Sequence, residues 1–192
     1  MNKLWLPALV FFLSACSFTP KPYISDVYQK YKVSDLKVPE RPHVLKLETE
    51  FTRNGKPLPA VRPELTQAVN QALNETKVAV SVPQSESTLK IYANNIVNMK
   101  NAIESGIGTG VTFGLAGNTV RDDYTFICSY SRGNQELSKA EFDHAIVSNI
   151  GARAAPIGLI PQKNLQQAFF TVTKDVVVNC LGDLQKKGFL LP

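Results

Sequence analysis

Residues 122–149 read DDYTFICSYSRGNQELSKAEFDHAIVSN, and the fold follows from how this stretch is parsed. Tyr124, Phe126, Cys128 and Tyr130 recur at every second position, which places them on one face of a strand running from Asp122 to Ser131. Gly133-Asn134 is a turn signal, and a second strand runs from Glu136 to Asn149, so the stretch is a β-hairpin. Upstream, His43 to Phe51 alternates Leu45, Leu47 and Phe51 with Lys46, Glu48 and Glu50, the pattern of a half-buried strand. Asn54-Gly55 turns the chain, and Pro63 suits the first turn of a helix, where a missing N–H costs nothing. Leu65, Ala68, Val69, Ala72 and Leu73 then give a helix over Pro63 to Glu75 one buried stripe. Val78 to Val82 is a short strand stopped by Pro83, and Leu89, Ile91 and Ala93 mark another.

Downstream of the hairpin, 151–161 is a loop with Pro156, Gly158 and Pro161. Asn164 caps a last helix, which carries Leu165, Phe169, Val172, Val176, Cys180 and Leu184 at helical spacing and stops at Gly188. The β-branched run Val176 to Val178 has low helix propensity, so packing must stabilise this helix. The order strand, helix, two strands, hairpin, helix predicts an α+β, two-layer sandwich: an antiparallel sheet of four to five strands with two helices on one face. Cys128 on an apolar strand face and Cys180 on the buried helix stripe could meet between the layers. A disulfide there would close a loop of about 52 residues, worth roughly 4 kcal/mol in the chain-entropy model; two buried free thiols are the alternative.

The N-terminus sets the address. Lys3 is followed by the apolar run Leu4 to Leu13, then Ser14, Ala15 and Cys16. A helix over Leu4 to Ala15 would be about 18 Å long against a hydrocarbon core of ~30 Å, too short to span. The run has the form of a secretory signal peptide. Leu13-Ser14-Ala15-Cys16 resembles the lipobox of bacterial lipoproteins. That resemblance implies cleavage before Cys16, a diacylglycerol thioether on its sulfur and an acyl chain such as palmitate on its new amine. Ser17 after the cysteine implies an outer-membrane destination with the domain facing the periplasm. The domain plan expected is therefore a signal peptide over 1–15, a lipidated N-terminus and tether over 16–41, and one α+β domain over 42–192. The tether carries Pro20, Pro22 and Pro39, and its pattern allows a short helical turn near Ser25 to Lys32. Fully extended it could reach ~80 Å.

At 44% hydrophobic and 19% charged the chain is globular in type, and its net charge is +5. In an exported protein that charge faces lipid head groups and cell-wall anions rather than nucleic acid. Residues 102–117, AIESGIGTGVTFGLAG, interleave glycines with Ile107, Val111, Phe113 and Leu115. They fit neither a phosphate loop nor the dinucleotide fingerprint. Three readings stay open for them: a closely packed core strand, a loop touching the bilayer, or a docking surface for a partner. In element order the chain resembles the small sheet-and-two-helix domains of envelope lipoproteins, including the lipopolysaccharide-assembly lipoprotein; the likeness transfers no binding residue.

Asp143, His144 and Ser148 supply an acid, a base and a nucleophile, but on a strand His144 and Ser148 share a face that Asp143 points away from. No metal site or cofactor is expected, since the cysteines lack a CxxC partner and the two histidines, His43 and His144, lie far apart. The sequence thus predicts a noncatalytic lipoprotein, anchored to the bilayer through Cys16, that binds or helps assemble an envelope protein, lipid or polysaccharide. The competing reading is a membrane-proximal hydrolase using His144.

Overall fold

A computed structural model of the chain describes residues 19–97, 118–151 and 153–192. The signal peptide over 1–15, Cys16 and the glycine-rich residues 102–117, with Ile107, Val111, Phe113 and Leu115, lie outside the described residues.

The hairpin is the longest feature. β6 (Asn118–Arg132) and β7 (Gln135–Ile150) pair antiparallel through a two-residue turn, where Gly133 has φ +55°. Phe126, Cys128 and Tyr130 are buried on the face that alternation predicts. β5 (Ser87–Ile96) joins β6 antiparallel, with Ile91 opposite Cys128 and Ala93 opposite Phe126.

Two features depart from the expected sheet. First, β2 (His43–Arg53) pairs with β5 in parallel, Leu47 opposite Leu89 and Phe51 opposite Ala93. It also pairs in parallel with β4 (Ala79–Ser81) through His43 and Ala79. The cause is α1 (Arg62–Thr76), which carries the chain back along the sheet before β4 and β5 begin, as parallel neighbours require. Second, strands come from stretches read as tether and loop. β1 (Lys21–Ile24) pairs with β7, and β8 (Ile160–Pro161) pairs with β1; β3 (Lys56–Pro57) closes the opposite edge. The sheet is therefore eight-stranded and mixed, ordered β3-β2-β5-β6-β7-β1-β8 with β4 beside β2, rather than antiparallel with four or five strands. The fold class, α+β in two layers, stands.

Both described α-helices cover one face. α1 has Pro63 in its first turn and buries Leu65, Ala68, Val69, Ala72 and Leu73. α2 (Leu165–Lys186) starts at Asn164, whose side chain accepts from the Gln167 N–H at 2.8 Å, the cap the sequence announces. Lys174 pairs with Glu75 at 2.6 Å across the two helices. Every residue of α2 from Asp175 to Gly182 is buried, so this helix is covered on more sides than one apolar stripe requires. Each fully buried Val or Leu contributes roughly 1.5–3 kcal/mol, which outweighs the poor propensity of Val176 to Val178.

Cys128 and Cys180 meet between sheet and helix, with Cα atoms 6.2 Å apart and sulfurs at bonding distance. The double substitution Cys128→Ala with Cys180→Ala is expected to lower unfolding free energy by about 2–4 kcal/mol. Denaturant melts of the oxidised wild type against the variant measure this; equal midpoints would mean that the two thiols are free.

Candidate functional site

What covers the far side of α2 is the N-terminal segment. After β1, Ser25 caps a turn of 3-10 helix over Asp26–Tyr28, and a second such turn follows over Val33–Asp35. This strap is held by a polar stripe on α2 at four-residue spacing, Asp175, Asn179 and Asp183, which helical geometry sets on one face. Asp175 Oδ1 accepts from Gln29 Nε2 at 3.3 Å. Asn179 is 2% exposed, and its amide holds the strap through both ends: Oδ1 accepts from the Lys30 and Tyr31 N–H groups at 2.8 and 3.1 Å, and Nδ2 donates to the Tyr28 carbonyl at 2.8 Å. Asp183 accepts from Lys30 Nζ at 2.6 Å and from the Tyr31 hydroxyl at 3.0 Å. Farther along, Gln185 clasps Lys37, accepting from its N–H at 2.9 Å and donating to its carbonyl at 2.6 Å.

The domain therefore begins earlier than expected. From Lys21 the chain is built into sheet and strap, so residues 21–41 of the stretch read as tether belong to the domain. Gly182 permits the docking, because a Cβ there would lie 2.5 Å from the Tyr31 ring. The Asp183 hydrogen bond raises the Lys30 ammonium above its ordinary 10.5, against a smaller desolvation effect. Its contribution is complete below 10.5 and is lost only in more alkaline solution. With Lys30 half-exposed, that contribution is small.

The three residues weighed for catalysis go to different places. Asp143 is exposed and accepts from Thr125 Oγ1 at 3.1 Å. His144 is 2% exposed on the helix-facing side of the sheet, with its ring against Tyr28 at a centroid distance of 4.7 Å. Its Nδ1 accepts from the Ala145 N–H at 2.9 Å, which leaves Nε2 to face Asp175 Oδ2 at 3.4 Å. The acid beside His144 is thus Asp175 of α2, not Asp143. Ser148 is buried farther along β7, roughly 13 Å from His144 at strand rise, and its hydroxyl has no partner among the described residues. The set does not assemble, and His144 closes the joint between β7, α2 and the strap.

A second polar cluster lies where β2 and β5 end beside the first half of β6. Arg53 Nε donates to Asn95 Oδ1 at 3.1 Å, and Asn95 is 1% exposed. Beside them, burial pushes the Asp122 carboxyl above its ordinary range, more than Asn95 and Arg53 lower it. Burial, followed by the Asp122 charge, likewise drives the Tyr124 hydroxyl well up. Among the described residues no group of three or more His, Cys, Asp or Glu side chains could hold a metal ion. Surface grooves include one of 210 Å³ between the N-terminal halves of α1 and α2, lined by Gln67, Gln71, Gln167 and Phe170, and a more open one of 860 Å³ along α1, lined by Arg62, Thr66, Asn70 and Asn74.

No family model and no curated protein matches this chain. Solved structures are similar to it only at low identity and low TM-score. A Xanthomonas campestris protein of the DUF330 family model is 12% identical, covering 79% of this chain and 91% of its own, at a TM-score of 0.39. A Helicobacter pylori homolog of neuraminyllactose-binding hemagglutinin is 13% identical over 79% and 90%, at 0.43. A Caulobacter crescentus lipoprotein is 11% identical over 73% and 82%, at 0.27. The functional reading therefore comes from this chain's own residues.

Two substitutions probe these clusters. Gly182→Ala should displace Tyr31 and cost about 1–3 kcal/mol, with amide hydrogen exchange rising first over residues 28–37; unchanged protection there would refute the docking. Asp122→Asn should raise the unfolding temperature at pH 7, because the folded state holds that carboxyl's titration above the unfolded value. The gap should close as pH falls below the ordinary aspartate value of 3.8.

Proposed function

We propose that this protein is a noncatalytic lipoprotein of the bacterial envelope, anchored at the outer membrane through acylated Cys16 with its domain in the periplasm. There it binds or helps assemble another envelope component, a membrane protein, a lipid or a polysaccharide. The observation that carries this reading is the order of residues at the N-terminus: Lys3, the apolar run to Leu13, then Ser14-Ala15-Cys16, with a folded domain starting at Lys21. An acylated cysteine with more than one chain is a lasting anchor, since each buried methylene contributes ~0.8 kcal/mol. No described helix is long and apolar enough to cross a membrane.

His144 supports the noncatalytic half of the proposal. Both ring nitrogens face protein groups, and the ring is packed under Tyr28. A side chain so enclosed serves to join elements, and a substrate proton has no path to it without moving the strap. The Cys128–Cys180 pair fits an oxidising compartment such as the periplasm.

Mass analysis of the protein from its native membrane should find diacylglycerol on Cys16 and the preceding residues removed. Cys16→Ser should move the protein from the membrane to the soluble fraction. An uncut N-terminus or a free Cys16 thiol would end this reading. His144→Asn should retain the cellular function that deletion of the protein abolishes, whereas a hydrolase would lose it. Crosslinking in intact cells, read by mass spectrometry, identifies the partner.

A further inference from the structure

The docked strap changes where the domain sits. Between Cys16 and Lys21 there are about five peptide units, which span at most about 18 Å when fully extended. An anchor at Cys16 therefore holds one particular end of the domain at the bilayer: the end where β1 starts, beside the last residues of β7 and the loop that leaves it.

That end is basic. Gln162 donates its N–H to the Pro22 carbonyl, extending the β1–β8 ladder, so Lys163 comes opposite Lys21 on the neighbouring strand. On the other side Lys21 stands opposite Asn149, whose Nδ2 donates to the Ala154 carbonyl at 2.8 Å and so holds the loop carrying Arg153. Lys21, Arg153 and Lys163 are exposed, and among the described residues none of them is in an ion pair. Glu64 lines the same groove as Lys163 without pairing with it. Elsewhere on the surface Lys30, Lys46, Lys90, Arg121 and Lys174 each have a carboxylate partner. Three exposed cations without a carboxylate partner thus stand together at the end of the domain where β1 starts, while others, Arg132 and Lys139 among them, are spread over the rest of the surface.

Resting on the lipid-anchor reading, we propose that the β1 end of the domain, through Lys21, Arg153 and Lys163, lies against the anionic phosphate surface of the bilayer that holds Cys16. Such contacts are favoured within a Debye length of the surface and weaken with salt. The hairpin then stands away from the membrane, with its turn at Gly133-Asn134 roughly 45 Å from the β1 end at the usual strand rise. The surfaces presented to the periplasm are accordingly the hairpin tip and the neighbouring parts of the sheet and helices, while the β1 end is covered by lipid.

The test uses the acylated protein in vesicles of phosphatidylethanolamine and phosphatidylglycerol, with a nitroxide on Ala154→Cys or on Asn134→Cys and a nickel chelate on the lipid head groups. Nickel should relax the label at 154 several-fold more than the label at 134. That contrast should shrink at high salt, in neutral phosphatidylcholine vesicles, and in the variant Lys21→Glu, Arg153→Glu, Lys163→Glu. The salt and lipid arms use the unreversed protein, so they hold even if the triple variant folds poorly. Equal relaxation at the two positions overturns the orientation. So does a contrast that salt, lipid and charge reversal all leave unchanged, because the short anchor alone would then set the pose. An unmodified Cys16 with no sedimentation alongside vesicles overturns the anchor and the orientation together, and that result is read from mass and sedimentation before any label is measured.

Discussion

A buried helix carrying a row of polar side chains has to find partners for them, and the structure is arranged around that requirement. Asn179 sits in the most enclosed part of α2, and leaving its amide unpaired there would cost on the order of 1–3 kcal/mol per group. The partners are backbone groups of Tyr28, Lys30 and Tyr31, a stretch with little regular structure of its own. Asp175 and Asp183, one turn to either side, extend the same row. The result is mutual dependence. The strap gains a fixed path from hydrogen bonds to a rigid helix, and the helix gains the third wall that lets Val177, Val178 and Leu181 be fully buried. The sulfurs of Cys128 and Cys180 tie that helix to the sheet on its opposite side.

Much of this was legible from local pattern. The hairpin, α1 with its proline start and the Asn164 cap follow from period and capping, because each is decided by residues near in sequence; period also puts Cys128 and Cys180 on buried faces, though their meeting joins residues 52 apart. The parallel pairing of β2 with β5 was not legible: alternation says which face of a strand is buried and nothing about which strand lies beside it. β1 and β8 were missed for another reason. Lys21–Ile24 and Ile160–Pro161 are too short and too rich in proline to announce themselves, and they exist because β7 leaves an edge that needs hydrogen-bond partners.

The candidate site shows the same division. His144, Asp143 and Ser148 drew notice as residue types, yet their fates were set by elements far away in sequence: α2 supplies Asp175, and the strap supplies Tyr28. A signal for the real polar feature was present in the chain. Asp175, Asn179 and Asp183 recur every four residues within a segment otherwise made of Val, Cys, Leu and Gly, and a charged or amide row in so apolar a helix calls for a buried partner. Gly182 beside that row marks where the partner comes closest.

The position of β1 also has a mechanical meaning. It lies between β7 and β8, bonded to both, and it is the first regular element after the residues that lead from Cys16. Antiparallel hydrogen bonds run across the strand, so tension entering at Lys21 along the strand axis loads them in shear, together rather than one at a time. Beyond β1 the same pull meets the strap and its grip on α2. With the proposed anchor at Cys16, so short a lead would attach the domain through the geometry in which strands resist extraction best.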